Sequence, residues 1–165
     1  MQLYNKLSKK ERLDLINKAG EKRLTLSFYK YYLIKNTSIF RNYLFIILDK
    51  LDVLGRIYIA NEGINAQVSV PSNKLIELKE YIDNISFLNG IRLNIGIEHN
   101  NEAFLKLKIK IKEKIVADGL SLKDYNLDIN GKHVNAVEFN ELLENDDTIT
   151  IYMRNHYESE IGHFR

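Results

Sequence analysis

The chain has 165 residues, 45% of them apolar and 28% charged, with a formal net charge of +2 and no cysteine. That is the composition of a folded globular domain with a small annex, not of a disordered chain. The missing cysteine excludes disulfides, thiolate metal sites and thiol catalysis together.

Ser8 and Glu11 form the pair S-x-x-E ahead of Leu13, Leu15 and Ile16, which predicts a capped helix over about 9–18. Residues 24–34, rich in Thr, Phe and Tyr, read as a strand. Residues 37–51 read as a helix, with Phe40, Leu44, Ile47, Leu48 and Leu51 at helical spacing. Two β-branched runs, 55–60 and 64–70, flank N-E-G and predict a hairpin. Ser72 is placed to cap a further helix carrying Leu75, Ile76, Leu78 and Ile82. Runs 91–97 and 104–111 read as closing strands. After a Gly/Asp/Asn-bearing connector, Asn135 caps a short helix over 136–143, and 148–153 reads as a strand.

The order is βαββαβ with one extra strand. It predicts an α+β, ferredoxin-like sandwich with two helices on one face of an antiparallel sheet. The expected division is an N-terminal helix (1–22), a ferredoxin-like domain (23–118), a linker (119–134) and a final segment (135–165). Charge divides along the same line. Residues 1–120 hold 20 Lys+Arg against 13 Asp+Glu, a balance of +7; residues 121–165 hold 4 against 9, a balance of −5. Any polyanionic partner is therefore expected on the first part.

The pattern richest in chemistry is Lys106, Lys108, Lys110, Lys112 and Lys114 alternating with Leu105, Leu107, Ile109 and Ile111. A strand puts alternate side chains on opposite faces, so the lysines share one face and the aliphatics the other. Such a row of ammonium groups tracks a phosphate backbone, giving salt-sensitive and sequence-independent affinity. On the stripe alone the better reading is a solvated edge or outer face, where lysine also deters strand-to-strand aggregation. Tyr29, Tyr31, Tyr32, Tyr43 and Tyr58 add rings able to stack on bases, and bring the two readings close to even.

In Asn61-Glu62-Gly63-Ile64-Asn65 a carboxylate and two amides surround a glycine. A turn glycine with positive φ accounts for this run better than a ligand site does. His99, His133, His156 and His163 are scattered and no metal is assigned. Neither a nucleophile elbow nor a phosphate-binding glycine loop is present. No apolar run nears the roughly 18 residues of a membrane span, and the opening M-Q-L-Y-N-K is unlike a signal peptide. A cytoplasmic protein without a membrane partner is expected.

Several segments in order go beyond a fold: S-F-Y-K-Y-Y (27–32), G-R-I-Y-I-A-N-E-G-I-N-A-Q-V-S-V-P (55–71), R-L-N-I (92–95), K-I-V-A-D-G (114–119) and M-R-N-H-Y-E-S-E-I-G-H-F (153–164). In these the chain resembles the bacterial rhodanese-domain tRNA uridine(34) hydroxylases. The resemblance implies an acylphosphatase-like module ahead of the start of a rhodanese domain. It implies tRNA as partner, with no DNA expected, and 5-hydroxyuridine at the wobble position as product. Molecular oxygen would be the co-substrate, and no other cofactor is identifiable. Glu62, Gly63 and Asn65 match the family's E-G-I-N, while Arg154, Asn155, Tyr157 and Glu158 match its rhodanese strand-end motif. Tyr152 stands where that motif has Asp. The family's cysteine loop has no counterpart here, so no catalytic residue is carried over and the chain is expected to be an N-terminal portion, inactive alone. The alternatives are a non-catalytic ferredoxin-like RNA-binding fragment and a relative of the rhodanese sulfurtransferases.

Overall fold

The computed structural model of the chain describes residues 3–96, 101–116 and 131–151, together with Glu160. The chain forms two compact units, Met1–Asp128 and Ile129–Arg165.

The first unit opens with α1 (Lys9–Ala19), held at its start by the reciprocal box of Ser8 and Glu11 and closed by Gly20 at φ +62°. Then come β1 (Arg23–Tyr31), α2 (Thr37–Lys50), β2 (Leu54–Ala60), β3 (Gly63–Pro71), α3 (Leu75–Asp83), β4 (Asn94–Ile95) and β5 (Leu107–Ile111). The sheet order is β4-β1-β3-β2-β5. Its first four strands have the ferredoxin-like order. All of their pairings are antiparallel, but β5 joins β2 in parallel. The sheet is therefore mixed, where an antiparallel one was expected. A hairpin forces antiparallel pairing through its short turn, but β5 follows a long excursion through α3 and β4, and nothing local sets its direction.

Alternation does the rest. Leu26 and Phe28 of β1, Ile57 and Ile59 of β2, Ile64, Ala66, Val68 and Val70 of β3, and Leu107 and Ile109 of β5 are all buried. They share one core with Leu44, Phe45, Ile47 and Leu48 of α2 and Leu78 and Ile82 of α3. The residues between them on each strand project from the opposite face.

Arg23 is buried and donates from Nε to the Ser69 hydroxyl at 3.0 Å. One of its terminal nitrogens meets the Asp52 carboxylate at 3.1 Å, and Arg12 meets the same carboxylate at 2.7 Å. Burial lowers the pKa of Arg23, and Asp52 opposes that shift. Asp52 itself sits at φ +54°, a region Asp tolerates better than most residues. Its two cationic partners hold it there.

Four other expectations are corrected. Ser72 caps no helix: its amide donates to the Lys22 carbonyl at 2.9 Å, extending the β1–β3 ladder, and a 3₁₀ turn (Ser72–Lys74) precedes α3. Of the strand expected over 91–97, only Asn94–Ile95 forms a strand among the described residues; the Ile91 amide donates to the Leu88 carbonyl at 3.0 Å, in a turn, instead of to a neighbouring strand. The strand expected over 104–111 begins only at Leu107. In the second unit, residues 148–151 of the strand expected over 148–153 belong to no strand, and Ile149 and Ile151 are exposed. Extended backbone becomes a strand only with a partner, and among the described residues none pairs with it.

That second unit contains α4 (Ala136–Leu143), which starts with the Asn135–Glu138 capping box, and Lys132 is 2.7 Å from the Glu138 carboxylate. No helix among the described residues is long and apolar enough to cross a membrane.

Candidate nucleic-acid interface

The face of the sheet opposite α2 and α3 is built from the other half of each strand's alternation. Register aligns it in rows. One row runs Asn94, Ser27, Gln67, Arg56, Lys108; the next runs Tyr29, Asn65, Tyr58, Lys110. Arg56, Gln67, Tyr29, Lys108 and Lys110 are exposed, while Ser27, Asn65 and Tyr58 are half-buried.

The lysine alternation holds through β5, where Leu107 and Ile109 are buried and Lys108 and Lys110 exposed. Lys106 precedes the strand and Lys112 follows it, both exposed; Lys114 is half-buried beyond its end. The aliphatic side lapses sooner than expected, for Ile111 is exposed. The Lys112 ammonium lies 5.9 Å from the centroid of the Tyr58 ring, at the outer limit of a cation–π contact.

Of the five tyrosines singled out, Tyr29 and Tyr58 flank Asn65 on this face, with Tyr31 one step along β1. Tyr32 instead stacks on Phe87, centroids 4.4 Å apart and planes 6° apart, and Tyr43 lies on α2. Arg56 was missed by the sequence reading. The alternation in G-R-I-Y-I-A already places it beside Tyr58, but only the parallel pairing of β2 with β5 sets it opposite Lys108.

None of the residues in the five strands is acidic. Asp and Glu of the module lie in helices and connectors, so no carboxylate neutralises the cations from within the sheet. The result is a positive face whose charge rises toward the β5 edge.

The N-E-G-I-N run splits into three roles. Glu62 is only 1% exposed, and its carboxylate accepts the Ile115 amide at 2.7 Å, so it ties the hairpin tip to the segment beyond β5 and is not a ligand group on the surface. Gly63 is needed less for the turn than for close approach. It pairs with Ala60 and Tyr31, has φ +151°, and a Cβ there would collide with the Lys30 carbonyl oxygen. Asn65 alone reaches the open face. The expected site residues Arg154, Asn155, Tyr157 and Glu158 lie outside the described residues, as does most of the expected linker.

No cluster of three or more His, Cys, Asp or Glu side chains able to hold a metal occurs among the described residues. The outer edge of β5 is occupied. The Asn5 side-chain amide donates to the Leu107 carbonyl at 2.6 Å and accepts the Leu107 amide at 2.9 Å. Arg41 donates to the Ile109 carbonyl at 3.4 Å and to the Leu3 carbonyl at 2.9 Å. These hydrogen bonds close the edge against strand addition.

Three relatives named tRNA uridine(34) hydroxylase are similar to this chain over nearly its whole length. The protein of Leptospira interrogans serovar Lai is 44% identical over 98% of this chain and 43% of its own length. That of Pectobacterium carotovorum is 42% identical over 98% of this chain and 46% of its own. That of Hamiltonella defensa is 40% identical over 99% and 46%. The chain thus spans less than half the length of the curated relatives it matches. Residues 23–115 match the model of the UPF0176 acylphosphatase-like domain, which takes in every strand of the sheet. The chain belongs to the UPF0176 acylphosphatase-like domain family.

Proposed function

We propose that this chain serves tRNA modification as the tRNA-holding part of a uridine(34) hydroxylase, the reaction being oxygen-dependent formation of 5-hydroxyuridine. The observation that carries the reading is the cationic open face of the sheet, whose strands contribute no acidic residue and which sets Arg56, Lys108 and Lys110 in adjacent register. A polyanion is the partner such a face fits. The names of the relatives support tRNA as that polyanion and hydroxylation of uridine 34 as the reaction; oxygen as co-substrate rests on the motif resemblance alone. The chain has no cysteine, so its assigned share is to hold the tRNA, with no catalytic residue of its own.

The test is tRNA binding as a function of salt. Changing Lys106, Lys108 and Lys110 to Ser weakens binding and flattens the dependence of log affinity on log salt. The slope falls by roughly one unit for each phosphate no longer neutralised. An unchanged slope would return these lysines to the role of a solvated edge.

A further inference from the structure

We propose that the open sheet face takes unpaired RNA bases, two of them stacked on Tyr29 and Tyr58 with Asn65 reading a base edge between them. The inference rests on the tRNA reading above and adds which part of the RNA is held and how.

Tyr29, Asn65 and Tyr58 stand side by side on three neighbouring strands. The two rings are therefore two strand spacings apart, about 10 Å. That separation is too wide for the two rings to clasp a single base between them, and it suits two bases, one on each ring. A duplex keeps its base faces buried in its own stack and has none to offer. Tyr29 is 55% exposed. The Tyr58 ring carries the distant Lys112 ammonium on its face, a neighbour that a base can displace. The Asn65 amide has both donors and an acceptor, and Gln67 repeats that chemistry one row on.

Charge gives the ligand a direction. The aromatic and amide groups lie inward on β1, β3 and β2, while the cations lie on β2 and the β5 edge. Lys108 and Lys110 are about 7 Å apart along the strand. The phosphate backbone follows β5 and the bases turn inward across the sheet, the combination by which single strands are held. An acidic peptide is the poorer fit. It would use strand addition, and Asn5 and Arg41 already occupy the β5 edge.

The experiment compares the 165-residue chain with its Y29A/Y58A and Y29F/Y58F forms, against a labelled oligouridylate, an RNA duplex of equal length and a tRNA transcript. The unaltered chain prefers the single strand to the duplex. The alanine pair loses at least about tenfold affinity for the oligouridylate with its salt slope unchanged, and the phenylalanine pair keeps its affinity. Because the chain has no tryptophan, its emission is that of tyrosine, and oligouridylate quenches it in the unaltered chain while the duplex does not. Equal affinity for duplex and single strand, absence of quenching, or an alanine pair that binds like the parent overturns the proposal. If tRNA is still bound in those cases, only the stacking inference falls. If the unaltered chain binds neither tRNA nor oligouridylate, the tRNA reading falls with it.

Discussion

The carboxylate of Glu62 accepts the backbone amide of Ile115 across 53 positions of sequence, at 2.7 Å. One hairpin tip is thereby fastened to the chain leaving the edge strand. The same residue's carbonyl accepts the Tyr32 amide at 2.9 Å, so Glu62 joins the ends of three segments.

Replacing Glu62 with Ala leaves the buried Ile115 amide without its acceptor and should cost about 1.5–3 kcal/mol, the range for a hydrogen bond to a charged group. Gln retains an acceptor oxygen and should recover more than half of that. Urea denaturation of the two variants measures the difference. Equal stabilities for the Ala and Gln forms would show that the carboxylate is not the fastening.

Asn5 and Leu107 set up a second expectation. Asn5→Ala removes both side-chain bonds to the strand edge and should destabilise the module by about 1–2 kcal/mol. It also uncovers an amide and a carbonyl on an edge strand, so concentration-dependent association on warming should increase. An unaltered urea midpoint together with unaltered light scattering would rule out this role.

A pH dependence follows from Glu11. Its carboxyl lies below the ordinary 4.5 because of hydrogen bonds with Ser8, the side chain first and the backbone second. A depressed carboxyl pKa means that the unfolded chain binds more protons in this window. The contribution is therefore full above 4.5 and is lost as the pH falls through the lowered folded value. Amide exchange in α1 should distinguish the parent from Glu11→Gln near neutrality, and the difference should shrink as the pH falls through the lowered folded value. A difference that persists into acid would remove the carboxylate from the cap.

The parts of this fold legible in the sequence are those decided by neighbours. The Ser8–Glu11 box, the Asn135 cap and the N-E-G hairpin all depend on residues within a few positions of each other. The lysine alternation was legible for the same reason. Long-range choices were not: the parallel entry of β5 beside β2, and so the pairing of Arg56 with Lys108, has no local signature. Ser72 shows the local rule losing. A good capping residue is drawn instead into the ladder by the Lys22 carbonyl. Glu62 shows it from the other side, since a charged residue at a hairpin tip reads as exposed until its distant partner Ile115 is known.

The Asn5 clasp has a consequence for the order of assembly. Asn5 and Leu107 are 102 positions apart, so during synthesis the Asn5 side chain waits for β5 before it can close that edge. The hairpin of β2 and β3 closes with a far shorter loop and can form well before that. The Asn5 clasp is then among the last contacts to lock. Until it does, the unfinished edge of the sheet stands open to whatever the growing chain meets.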